Sequence, residues 1–150
     1  INGWGLAYIL APERLMNEFR RIQQFQIYNV NTPLQYALSE YLQTEDSKKD
    51  ISEMYQGKRN YFNRLVGDSL FRVIPAQGSY FEVLDYSAIS DESDVDFTFR
   101  LASEYGIGVI PVSAFMHEKN KQKLLRICFA KNNETLEKAA ERLRMVPSMK

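Results

Sequence analysis

The apolar residues of this chain change their period at Gly67, and that change limits the folds open to it. From Glu13 to Gly67 they recur at three- and four-residue intervals, the spacing of helices with one buried face. From Glu13, the residues Leu15, Met16, Phe19, Ile22 and Phe25 share a helical face, opposite Glu13, Arg14, Asn17, Arg20 and Arg21. A second helix is expected from Pro33, with Thr32 as cap and Gln35 in the first turn, carrying Leu34, Ala37, Leu38, Tyr41 and Leu42 inward to about Gln43. A third is expected from Ser47 to Leu65 on Ile51, Met54, Tyr55, Tyr61, Phe62 and Leu65.

After Gly67 the pattern is that of short strands. Phe71–Ile74 stops at Pro75, and Ala76-Gln77-Gly78 turns into Ser79–Tyr86, so the two runs read as a hairpin. Ser93 caps a helix that Gly106 ends. Gly108–Val112 and Leu124–Ala130 are further strands, and Asn133 opens a closing helix through Leu136, Ala139, Ala140 and Leu143. Ahead of all these, residues 4–10 are rich in strand formers and stop at Pro12, which predicts a short buried strand. The fold class is α/β of the α+β kind: a small mixed sheet with helices packed mainly on one side. No linker or repeat divides the chain.

At 150 residues, with 45% hydrophobic and 25% charged residues, the chain can bury a core without disulfides or metals. Nineteen basic residues balance nineteen acidic ones, which gives no global attraction to nucleic acid. No run approaches the ~18 apolar residues of a membrane span. The single cysteine, Cys128, forms no internal bridge and supplies no zinc cluster, so a reducing compartment, the cytoplasm, is the expectation. The chain opens at Ile1 and enters an apolar stretch at once, which reads as a cut terminus.

Arg126 is the most informative single residue, because every other member of the run Leu124–Ala130 is apolar. A buried guanidinium there needs an anion, either a carboxylate of the protein or a ligand carboxylate or phosphate; the alternative is an edge strand with Arg126 facing water or an internal Asp or Glu. Tyr80 follows a glycine turn and either presents its ring and hydroxyl to a ligand or packs in the core. Tyr28, Asn29 and Asn31 make a polar connection between helices. His117 and the lysines at 48, 49, 119, 121 and 123 read as solvated surface.

Taken in order, several segments resemble the carboxy-terminal portion of class I/II aminotransferases. They are Gly3-Trp4, Tyr8 and Ala11-Pro12; Asn31-Thr32-Pro33 with Gln35; Gln77-Gly78-Ser79-Tyr80-Phe81 with Asp85-Tyr86-Ser87; Ile110-Pro111-Val112-Ser113; and Leu125–Lys131. These are pyridoxal-phosphate enzymes of fold type I, and the similarity is greatest to the methionine, kynurenine and glutamine branch.

The resemblance implies that residues 1–150 are the small domain of such an enzyme, with residues 1–12 a strand left from its large domain. It implies a homodimer that moves an amino group between an α-amino acid and a 2-oxo acid, and it implies no nucleic-acid or membrane partner. Arg126 matches the arginine that grips the substrate α-carboxylate, Tyr80 an aromatic of the substrate pocket, and Asn31 a loop that helps complete the neighbouring subunit's site. The lysine that binds the cofactor would lie just before Ile1, and none of the nine lysines present matches it, so no catalytic, cofactor-binding or metal residue is expected within the chain. Relatives carry Lys or Arg where this sequence has Gly5, and commonly glycine where it has Ala7. The same carboxylate grip serves a pyridoxal-phosphate-dependent carbon–sulfur lyase. A stand-alone, non-catalytic module for dimerisation or small-ligand binding remains the other alternative.

Overall fold

The computed structural model describes residues 2–45, 51–117 and 122–149, which fall into two compact units, residues 1–49 and 50–150. In the first unit a 3-10 helix, Asn2–Trp4, is followed by residues 6–12 without regular structure and by helices α1 (Glu13–Gln26) and α2 (Thr32–Tyr41). The short strand expected over 4–10 does not form. A strand needs a ladder partner for its amides and carbonyls, and here Leu6 is buried while Tyr8, Ile9 and Leu10 are exposed.

Helix α1 starts directly after Pro12, whose carbonyl accepts from the Leu15 and Met16 amides at 2.9 and 3.0 Å. Its apolar stripe is present, yet none of its residues is buried, and Phe25 is 85% exposed. Helix α2 begins one residue earlier than expected. Its cap is Asn31 rather than Thr32, the Asn31 Oδ1 accepting from the Leu34 amide at 3.1 Å. A short carboxamide is at least as good a cap as a threonine hydroxyl, and Gln35 reaches back to donate to the Val30 carbonyl at 3.1 Å.

The second unit holds helices α3 (Ile51–Val66), α4 (Asp94–Tyr105) and α5 (Asn133–Arg144) and strands β1 (Arg72–Ile74), β2 (Phe81–Asp85), β3 (Ile110–Pro111) and β4 (Leu124–Cys128). The expected start of α3 at Ser47 lies outside the described residues. The sheet order is β1-β2-β4-β3 with all three pairings antiparallel, so the sheet is not mixed. β1 and β2 form the expected hairpin, and β4 sits between β2 and β3.

The sheet has one covered face. Leu84, Leu125 and Ile127 alternate inward along β2 and β4 and pack in a core with Phe62 and Val66 of α3, Phe97 and Leu101 of α4, and Leu136, Ala140 and Leu143 of α5. Tyr86 and Phe97 stack at 4.4 Å between centroids, with Phe71 6.3 Å from Phe97. Burial, reinforced by the Asp94, Glu92 and Asp96 carboxylates, pushes the Tyr86 phenol up; its hydroxyl donates to the Glu92 carbonyl at 3.0 Å. Glu82 is fully buried on this covered face, which is tolerable because its carboxylate accepts from Asn63 Nδ2 at 2.8 Å and from the Ala76 amide at 2.6 Å. Those two bonds fix α3 to the turn between β1 and β2.

Local signals set the helix ends of this unit. Ser93 Oγ accepts from the Asp96 amide at 3.2 Å, and Asn132 Oδ1 from the Thr135 amide at 2.9 Å. Asp94 and Asp96 lie in the first turn of α4, and Arg142 and Arg144 in the last turn of α5, each favourable to the helix dipole. Helix α4 ends at Gly106 in the left-handed region, φ 63°, where the Gly106 carbonyl accepts from Arg142 Nη1 at 2.6 Å. A Cβ at Gly106 would lie 2.7 Å from that nitrogen.

Gly106→Ala therefore combines left-handed strain with displacement of Arg142, and urea titration of the two proteins should show a loss of about 1–2 kcal/mol. A second expectation concerns acid. Desolvation pushes the Asp85 carboxyl up, but the Ser87 amide and the Arg72 guanidinium outweigh it and hold the carboxyl below its usual value. A depressed folded-state pKa contributes stability that is complete above the ordinary carboxylate value, ~3.9, and is lost as pH falls through the lower folded value. Urea midpoints measured from pH 6 down to pH 3 should fall at the acid end, and Asp85→Asn should flatten that fall.

Candidate functional site

Arg126 occupies the middle of β4, with Val83 of β2 opposite it on one side and Ile110 of β3 on the other. It is therefore on a central strand, not an edge. Because Leu125 and Ile127 point into the core, Arg126 projects from the opposite face, where it is half-buried. Phe81 and Asp85 flank Val83 on that same face of β2.

Among the described residues, the carboxylates of Glu82, Asp85 and Asp94 on and beside the sheet are committed elsewhere. Asp85, diagonal to Arg126 across the ladder, accepts from Arg72 Nη2 and Nε at 2.5 and 3.2 Å and from the Ser87 amide at 2.7 Å. Glu82 points to the covered face. The buried Asp94 takes the Ser113 amide at 2.8 Å and the Ser113 hydroxyl at 2.7 Å. Among the described residues no carboxylate stands within ion-pair distance of Arg126. The internal partner that the sequence left open is thus absent from this set.

Aromatic rings take its place. The Arg126 Cζ lies 3.8 Å from the Phe81 ring centroid, 5.5 Å from that of Phe115 and 6.0 Å from that of Tyr80. Each such contact stabilises the cation by about 0.5–1 kcal/mol when exposed and about 2 kcal/mol when desolvated. At 3.8 Å the Phe81 ring lies against the guanidinium face, a contact that does not use the N–H groups, which lie in the guanidinium plane. A guanidinium so held has the chemistry to accept a planar anion: a carboxylate can bind such a group through two parallel charge-assisted hydrogen bonds.

Tyr80 stands just before β2, partly exposed, its ring edge-on to Phe81 at 5.7 Å and 89°. Its ring also borders a cleft of about 400 Å³ with Tyr55, Gln56, Arg59, Gln77 and Phe129. The structure therefore brings Tyr80 and Arg126 together. Asn31 lies in the first unit, where its side chain caps α2. Two residues of the site were not singled out from the sequence: Phe81 as a partner of Arg126, and Phe115. Phe81 was readable in principle from register, since it faces the same side as Arg126 once β2 and β4 are paired. Phe115 sits in a four-residue 3-10 helix, Val112–Phe115, which has no periodic signal.

Among the described residues no amine is recorded in contact with Arg126. Lys58 donates to the Lys131 carbonyl, Lys123 to the Asp91 and Glu92 carbonyls, and Lys138 to Glu134. Gly5 has a left-handed φ of 61°, which accounts for glycine at that position and leaves no cation there. Among the described residues, the group around Arg126 thus offers a guanidinium to a planar carboxylate and supplies no amine for the aldehyde, and Gly5 supplies no cation for the phosphate, of a pyridoxal cofactor. Among the described residues no cluster of three or more metal-ligating side chains forms, and no helix is long and apolar enough to cross a membrane.

Comparison with known proteins gives a consistent family. The family described as aminotransferase class I and II matches residues 1–143. The chain is 37% identical over 147 residues to a methionine aminotransferase of Escherichia coli (strain K12), an alignment covering 97% of this chain and 38% of that protein. It is 32% identical over 170 residues to kynurenine–oxoglutarate transaminase 3 of Mus musculus, covering 100% of this chain and 37% of that protein. Among solved structures, an Escherichia coli protein described as having a methionine aminotransferase function superposes with a TM-score of 0.82 at 38% identity, over 95% of this chain and 38% of the other. N-succinyldiaminopimelate aminotransferase from Mycobacterium tuberculosis gives 0.82 at 26% identity, over 97% and 38%. The chain spans under two-fifths of the length of these relatives. It belongs to the aminotransferase class I and II family, of which it forms a carboxy-terminal part with the fold of the small domain.

Proposed function

We propose that this chain is the substrate-carboxylate portion of an aminotransferase that moves an amino group between an α-amino acid and a 2-oxo acid. The amino acid would be of the methionine, aromatic, glutamine or kynurenine type. The observation that carries the reading is Arg126: a central-strand guanidinium with aromatic rings on it and, among the described residues, no carboxylate of its own. Amino acid and 2-oxo acid share the α-carboxylate, so one bidentate grip serves both halves of a transamination. Holding that end fixes the reacting carbon relative to the rest of the site, and positioning of this kind supplies a large share of catalysis. Tyr80 borders the same ligand.

Enzymes of this family use pyridoxal phosphate, which supplies the electron sink for the reaction when bound. The described residues of this chain provide neither its lysine nor a phosphate cation at Gly5, so the reading assigns both to residues outside these 150. The isolated chain is accordingly proposed to be inactive. Residues 1–12 are proposed as a strand of a large-domain sheet, which the irregular course of residues 6–12 and the exposed Tyr8, Ile9 and Leu10 support. A homodimer in which Asn31 serves the neighbouring site, and a cytoplasmic location, belong to the same reading.

In the parent enzyme, Arg126→Lys keeps the charge but removes the planar fork. It should raise KM for both amino acid and 2-oxo acid about tenfold or more, equivalent to about 1.4 kcal/mol; unchanged KM for both would refute the role. The 150-residue chain, incubated with pyridoxal phosphate, methionine and 2-oxoglutarate, should give no amino-group transfer, and turnover would refute the proposed division of labour.

A further inference from the structure

The rings on Arg126 belong to two different elements, and each is fixed independently of the arginine. Phe81 is held by the β2–β4 ladder, opposite Cys128. Its centroid lies 3.8 Å from Cζ, a separation a guanidinium reaches only by lying against the ring face. Phe115 ends the 3-10 helix Val112–Phe115, and that helix is anchored through Ser113, whose amide and hydroxyl both donate to the buried Asp94 at the start of α4. The position of Phe115 is thus set from inside the core, although the ring itself is 63% exposed.

We propose that Phe81 and Phe115 are positioning residues that hold the Arg126 guanidinium by its faces and leave its N–H edge open to a monocarboxylate, with the Asp94–Ser113 clamp fixing Phe115. The proposal rests on the reading of Arg126 as a carboxylate grip and goes beyond it by naming what orients the grip. An acidic partner would orient the side chain equally well, but it would occupy the same N–H groups and would have to be displaced by each incoming ligand. An aromatic face orients without competing. It also excludes water from one side of the cation, which strengthens the hydrogen bonds made on the other.

The test uses the isotopically labelled 150-residue chain, with the Arg126 Hδ resonances assigned by their loss in Arg126→Lys. Ring currents should place them upfield of the exposed arginines. Acetate added at constant ionic strength, with chloride as the control, should shift the Arg126 Nε–Hε signal. Phe81→Leu and Phe115→Leu should each move the Hδ resonances toward the exposed position and weaken acetate binding about threefold or more. Phe81→Tyr should retain both properties. Ser113→Ala should reproduce part of the Phe115→Leu effect without altering any group in contact with Arg126. Because Phe115 is largely exposed, its variant remains readable even if Phe81→Leu does not fold. Wild-type Hδ resonances at the exposed-arginine position, or Leu variants that change neither resonance nor affinity, would overturn the proposal. Acetate without effect on an Arg126 that still shows ring shifts lost in the Leu variants would refute the carboxylate reading and uphold the positioning by the rings.

Discussion

The pairing of β2 with β4 is the constraint on which the second unit depends. These strands are not consecutive: α4 and β3 lie between them in the chain, and their ladder closes the sheet around Leu84, Leu125 and Ile127. The same register decides the chemistry of the other face. A shift by one residue would turn Arg126 into the core and Leu125 out of it. Burial of a desolvated, unpartnered guanidinium would cost several kcal/mol, so the hydrophobic core enforces the orientation of the arginine.

A second theme is the distribution of acids. Glu82, Asp85 and Asp94 are all buried or nearly so, and each is satisfied by donors from its own neighbourhood: Asn63 and Ala76, Arg72 and Ser87, and Ser113. Each also has a mechanical role, tying α3 to the hairpin turn, β1 to β2, and α4 to the 3-10 helix. With these carboxylates so used, the contacts that Arg126 makes among the described residues are with rings. The charge of the site therefore depends on bonds that lie outside it.

Much of this was legible in the sequence because it is written locally. Ser93 and Gly106 marked both ends of α4, and the apolar run around Arg126 marked β4. What failed was nonlocal. Residues 4–10 have the composition of a strand, but a strand exists only where a neighbour supplies its hydrogen bonds. The stripe on α1 was read correctly as amphipathic, yet its residues are not buried, because period reports a face and not what covers it. The sheet was expected to be mixed, since strand direction depends on the path of the connections. Arg126 stood out as the sole charge in its run. Phe115 could not, since a single turn of 3-10 helix carries no pattern and its placement depends on the contact of Ser113 with Asp94, nineteen positions before it.

The short connection from β3 through Val112–Phe115 separates what is fixed from what can be varied. Its base is locked by Asp94 within the α4 terminus, while its tip, Phe115, is largely solvent-facing and forms one wall beside Arg126. Substitutions at that tip leave the core and the β2–β4 ladder untouched. For anyone wishing to alter the surface beside Arg126, this turn is a replaceable part on a rigid mount, and exchange there carries little risk to folding.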